Sequence, residues 1–137
     1  MNRRAVSVAL VLASLLSASA VITASPAPVF ACGMPEMPIT GAPKDRLNLA
    51  EKNLKDGRYS QAYRIARSLF DLAGATDSQK AEGHAIAGWV LMHNGAQEGA
   101  AREIAIAKKL DAAVFTTVLA SATDEKVNAA VKKAIEA

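Results

Sequence analysis

The sequence of 137 residues is poor in the residue types that most often carry chemistry. It contains one cysteine, two histidines, one tryptophan, two tyrosines and three phenylalanines. A single cysteine excludes a disulfide within the chain, so packing must hold the fold. No nucleophile stands at a recognisable spacing from a base, and no two carboxylates stand at the spacing of a catalytic acid and base. The sequence therefore predicts a non-enzymatic protein that needs no cofactor.

The two histidines give no metal motif. His84 and His93 are nine residues apart, which on one straight helix turns their side chains about 180° away from each other. Two histidines so placed cannot share an ion, and we predict no metal site on this helix.

Basic and acidic residues are present in nearly equal numbers. The chain has 16 Lys and Arg against 13 Asp and Glu, and loss of Arg3 and Arg4 with a cleaved leader would leave 14 against 13. Acidic and basic residues are interleaved, as on a solvated helix face. The sequence therefore predicts no nucleic-acid partner, since such binding requires clustered Lys and Arg.

Residues 1–31 have the pattern of an export signal. Arg3 and Arg4 precede the uncharged stretch 5–22, and the breaker-rich stretch 25–28 follows it. The apolar stretch has 18 residues, rich in Ala and Ser, whereas a membrane-spanning helix needs about 20 strongly apolar ones. We therefore expect export to the periplasm or the cell envelope.

The cleavage site is predicted immediately before Cys32. Stretches 18–20 and 22–24 also offer small residues, but Val29-Phe30-Ala31 has the small-x-small form. Val29 to Cys32 also resembles a bacterial lipobox, which implies an acylated Cys32 that anchors the chain to the membrane. The alternative is a soluble exported protein with a terminal thiol.

A short tether is predicted after the leader, because residues 32–42 contain two prolines and two glycines and show no period. Cys32, Met34 and Met37 in this stretch are soft ligands that suit Cu(I). Periplasmic copper handling is therefore the alternative to a binding function.

From residue 43 to 137 the periodicity predicts six helices and an all-α domain. Pro43 suits a first helical position, Ser60 is a candidate cap for the second helix, and Thr76 to Gln79 has the spacing of a capping box. The second helix is expected to extend to Ala73. Thr123 is the predicted cap of the last helix.

An internal repeat organises these helices, because a set of residues recurs at an offset of 38. The set is Leu49-Ala50, Gly57, Tyr59, Ala62 and Leu72, and its counterparts are Ala87-Gly88, Gly95, Gln97, Ala100 and Leu110. A fixed offset of this size is typical of stacked helical hairpins, in which each unit buries its apolar face against a neighbour.

The repeat resembles the tetratricopeptide repeat over residues 43–112. Its pattern places a small residue, a turn glycine, an aromatic residue and an alanine as Ala50, Gly57, Tyr59 and Ala62 do. The second copy has Gln97 in the aromatic position, and the period exceeds the usual length of about 34. The resemblance implies a short α-solenoid of about two repeats plus a C-terminal helical hairpin. An unrelated alanine-rich bundle is the alternative.

The resemblance also implies a concave groove, lined by the first helix of each repeat, that binds a peptide or a protein. The groove residues are Leu47, Glu51, Leu54 and Lys55 in the first repeat and Trp89, Met92 and His93 in the second. Tryptophan and methionine on a helical stripe equally suit a core. Some relatives clamp a terminal carboxylate with basic and asparagine residues, but this chain has Leu47 and Glu51 where that clamp begins. Apolar contacts are therefore expected to hold the ligand instead.

Overall fold

The computed structural model describes residues 39–137. The predicted leader, Cys32, Met34 and Met37 lie outside the described residues. The described helices are α1 (Pro43–Lys55), α2 (Tyr59–Arg67), α3 (Asp77–His93), α4 (Gln97–Asp111), α5 (Val114–Ser121) and α6 (Glu125–Glu136). The prediction of an all-α domain with six helices is confirmed for this part of the chain, and none of its helices has the length and apolarity needed to cross a membrane.

Helix α3 is the centre of the domain, because it contacts all five other described helices. Nine of its 17 residues are buried, as expected of a helix that is covered on all sides. Five of the buried residues from Ala81 to Gly88 are alanine or glycine, and residues of this size let neighbouring helices approach closely. Ala62 of α2 and Ala100 of α4 are likewise fully buried.

Of the two side-chain caps in residues 39–137, one matches the sequence prediction and the other is shifted by one residue. Thr76 accepts a hydrogen bond from the Gln79 amide, and Gln79 bonds back to the Thr76 amide, so the predicted capping box is confirmed. In α6 the cap is Asp124, one residue beyond the predicted Thr123, and its carboxylate accepts from the amides of Lys126 and Val127.

Two predicted boundaries of α2 are wrong. Ser60 does not cap it, because the helix already begins at Tyr59 after Arg58, without a side-chain cap. The helix ends at Arg67 rather than near Ala73, and hydrogen-bonded turns replace its last predicted turn. Leu69 is still buried, while Ala73 is exposed.

The turn between the two helices of a hairpin recurs with the same glycine conformation and matching hydrogen bonds around it. Gly57 has φ +74° and Gly95 has φ +78°. The amide of each glycine donates at 3.1 Å to a carbonyl three residues earlier, that of Leu54 in one turn and of Met92 in the other. The next amide in each turn donates to a carbonyl five residues earlier, from Arg58 to Asn53 at 2.8 Å and from Ala96 to Leu91 at 2.9 Å. The helical hairpins α1–α2 and α3–α4 thus share one turn geometry at the 38-residue offset.

The last two helices do not repeat this arrangement. The residue 38 positions after Gly95 is Lys133, which lies inside α6. Helix α5 contacts α1 and α3, whereas α6 contacts α3 and α4. The two helices therefore pack on α3 from different sides rather than as a third hairpin of the same kind.

Before α1, Ile39 is half-buried and packs against the core. This end of the predicted tether is therefore joined to the domain.

Candidate functional site

The predicted groove residues divide into buried and accessible sets. Leu54 and Trp89 are 0% exposed, and Leu47 is buried as well. These three side chains belong to the core and cannot line an open groove, which corrects the groove prediction for them. These side chains are buried because the C-terminal helices lie over them: α5 and α6 cover α3, and α5 also contacts α1.

Trp89 is held in this core by a polar contact and by aromatic packing. Its indole Nε1 donates to Oδ1 of Asn128 in α6 at 2.7 Å. The rings of Tyr59 and His93 lie 5.3 and 5.6 Å from the indole, centroid to centroid. A buried indole N–H needs such an acceptor, so Asn128 makes this position suitable for tryptophan.

A rim of accessible side chains remains where the hairpins turn. Tyr59, Met92 and His93 are partly exposed, and Lys55 is exposed at the end of α1. The rings of Tyr59 and His93 are 4.2 Å apart, which joins the start of α2 to the end of α3. We call these four residues the turn-end rim. It keeps three of the predicted groove residues and adds Tyr59.

Glu51, the remaining predicted groove residue, faces a second carboxylate, that of Glu82 in α3. Burial, a hydrogen bond to Glu51 and repulsion by its charge raise the pKa of Glu82 from 4.5 to about 7. One oxygen of Glu51, Oε1, is buried without a hydrogen-bond partner. Two carboxylate oxygens can bond only when one carries a proton, and the raised pKa places that proton on Glu82.

His84 belongs to a separate cluster between α3 and α4. Its Nδ1 lies 2.6 Å from Oε2 of Glu103, and the ring stacks on Phe70 with centroids 3.7 Å apart. His84 and His93 therefore have different partners, and within residues 39–137 no three metal-ligating side chains come together. The cluster joins two helices and holds a hydrogen-bonded polar pair inside the packing.

Sequence reasoning missed Asn128, Glu82 and Glu103, the partners in these three clusters. Asn128 carried a signal, because it is an amide directly beside Val127 in the apolar stripe of α6. Glu82 and Glu103 carried none, since their partners are 31 and 19 positions away in sequence. Pairing at that distance depends on how the helices pack.

No family model, curated protein or solved structure matches the chain. The case for a repeat protein therefore depends on the residues and on the hairpin geometry of this chain itself.

Proposed function

We propose that the protein is a non-enzymatic adaptor of the bacterial cell envelope that binds another protein through tetratricopeptide-like hairpins. In this proposal residues 1–31 direct export, and Cys32 is either acylated to anchor the chain or left as the terminal residue of a soluble protein. No observation on residues 39–137 favours the copper alternative, whose ligands lie outside them.

The observation that carries the proposal is the repeated hairpin turn. The glycine conformations, the hydrogen bonds and the buried Ala62 and Ala100 all recur at one offset. Repetition of this kind builds extended scaffolds whose surfaces bind other chains.

The turn-end rim is the part of the predicted groove that a partner can reach. It combines aromatic rings, a methionine and a cation, and aromatic residues and methionine are enriched where proteins meet. Trp89 supports this surface from below by packing on Tyr59 and His93.

Photo-crosslinking in intact cells tests the proposal. Lys55 is replaced by benzoylphenylalanine, and Lys109 is replaced in the matched control. Both lysines are exposed, but Lys109 lies near the end of α4, away from the hairpin turn. We expect a discrete adduct with one envelope protein from position 55 and a much weaker one from position 109. Equal adducts from both positions, or none from position 55, would contradict the proposal.

A further inference from the structure

Helix α6 is attached much more shallowly than the helices it covers. Only Val131 of its 12 residues is buried. Val127, Ala134 and Ile135 are partly buried, and every charged side chain of the helix is exposed. Because local opening is easiest where few apolar groups are buried, α6 is the element of residues 39–137 that can leave at low cost.

Polar contacts that water can replace hold both ends of α6. Asn128 accepts from Trp89 at 2.7 Å and donates to the carbonyls of Leu119 and Ala122 at 3.3 and 3.2 Å. Near the other end, Nζ of Lys108 donates to the carbonyl of Ile135 at 2.6 Å. A single side chain, Asn128, thus joins α6 to both α3 and the end of α5.

The connection to α5 permits such an opening. The backbone leaves α5 in an extended conformation at Ala122, with φ −88° and ψ 136°. An open cleft of about 420 Å³ is lined by the exposed Lys132 of α6 and by Phe115 and its neighbours in α5. The cap of α6 is its own Asp124, so the helix keeps this cap when it moves.

Departure of α6 would uncover an apolar face that needs a replacement. We call the surface of α3 and α4 marked by Trp89 and Lys108 the lid face. The side chain of Trp89 would reach water there together with its unpaired N–H. Exposed aromatic surface of this kind is what protein interfaces bury.

We propose that α6 is a displaceable lid and that an amphipathic helix of the partner takes its place on the lid face. The fitting helix carries branched apolar residues at i, i+4 and i+8, as Val127, Val131 and Ile135 do, with an amide that accepts from Trp89. This inference rests on the proposed adaptor function and assigns it a second, covered surface.

Hydrogen exchange of the full chain tests the lid. Amides of α6 should exchange at least tenfold faster than those of α3. Asn128→Ala removes three hydrogen bonds, so it should speed exchange in α6 by roughly tenfold or more and leave α3 at least tenfold slower than α6. Lys126→Ala, an exposed change in the same helix, is the control. Equal exchange in α3 and α6, accelerated equally by Asn128→Ala, would overturn the lid.

A labelled peptide of residues 124–137 then probes the lid face of the full chain. Opening limits binding, so Asn128→Ala should bind the peptide roughly tenfold more tightly than the unaltered chain does. A peptide with Val131→Asp should not bind. If Asn128→Ala unfolds the domain, Val127→Ala, which changes α6 and leaves the lid face intact, carries the same comparison with a smaller effect. Absence of peptide binding to a variant whose α6 exchanges rapidly would overturn the helix-binding face.

The two proposals fail in distinguishable ways. Rapid exchange in α6 and peptide binding, without an adduct from position 55, would leave the lid face standing and refute the turn-end rim as the adaptor surface. An adduct from position 55, without faster exchange in α6 than in α3, would overturn the lid alone.

Discussion

At the scale of single residues, two helical glycines have opposite surroundings. A methyl group on Gly88 would lie 2.9 Å from Cγ1 of the buried Ile104 and 3.4 Å from the carbonyl oxygen of Ala100. On Gly99 it would meet only Cδ1 and Cδ2 of Leu91, at 3.4 and 4.0 Å. Gly88 is therefore required by helix contact, and Gly99 is not.

The pair gives a matched prediction. Gly88→Ala should destabilise the domain by about 1 to 3 kcal/mol through overpacking. Gly99→Ala should be neutral or stabilise it by up to about 1 kcal/mol, because alanine restricts the unfolded chain and favours helix. Urea unfolding followed by circular dichroism measures both. If the two variants unfold at the same denaturant concentration, the close packing of α3 on α4 is contradicted.

Trp89 shows what single-residue reasoning can and cannot supply. The sequence identified it as an anchor, and the structure gives it a central position with a specific partner. Whether an indole faces a groove or a core depends on whether a later helix covers it. That covering helix begins 36 residues further on, at Glu125, and the repeat pattern does not extend to it.

At the scale of the element, the hairpin turns test the repeat directly. A Cβ on Gly57 or on Gly95 would meet no atom within 4 Å, but both residues have positive φ. An alanine there is strained by its own backbone alone, at a cost of about 1 to 2 kcal/mol.

We therefore expect Gly57→Ala and Gly95→Ala to lower the free energy of unfolding by the same amount, within about 0.5 kcal/mol. Asparagine tolerates this conformation better, so Gly57→Asn and Gly95→Asn should each recover part of the loss. Chemical denaturation of the four variants provides the measurement. A large cost at one glycine and none at the other would mean that the two turns are not equivalent.

Helix boundaries were predictable where a local side chain decides them. The Thr76 capping box and the start of α1 at Pro43 depend on a few neighbouring residues and agree with the prediction. The end of α2 does not, because Arg67 to Leu72 could continue a helix by pattern. There Ser68 donates its hydroxyl to the Ile65 carbonyl, and Nη1 of Arg46 lies 3.4 Å from the Ser68 carbonyl. Contact with α1 is not visible in the local sequence.

At the scale of the whole molecule, the domain is organised around α3, and two pairs of titratable side chains join it to other helices. The Glu51 and Glu82 pair spans α1 and α3, and the His84 and Glu103 pair spans α3 and α4. The spacing of these residues in the sequence does not reveal either pair, so Glu51 and Glu82 meet although the sequence shows no carboxylates paired at a recognisable spacing.

The pair in α1 and α3 predicts a dependence of stability on pH. The pKa of Glu82 is raised in the folded state from 4.5 to about 7, so the folded chain holds its proton more tightly than the unfolded chain does. Its contribution is fully present below about pH 4.5 and is lost as the pH rises through about 7. For a carboxyl group fully shielded from solvent, a shift of this size would correspond to roughly 3 kcal/mol. Because Glu82 is only half-buried, solvent screening reduces this to about 1 kcal/mol.

Glu82→Gln should remove this dependence, since an amide can donate to Glu51 at any pH. We expect the variant to match the unaltered chain at pH 5 and to exceed it by about 1 kcal/mol at pH 8. Glu136→Gln, an exposed change at the end of α6, is the control and should leave the slope unchanged. Urea unfolding between pH 5 and pH 8 makes the comparison. The lowered pKa of Asp111 lies below 3.8 and does not overlap this range. If the unaltered chain and Glu82→Gln show the same slope, Glu82 does not share a proton with Glu51.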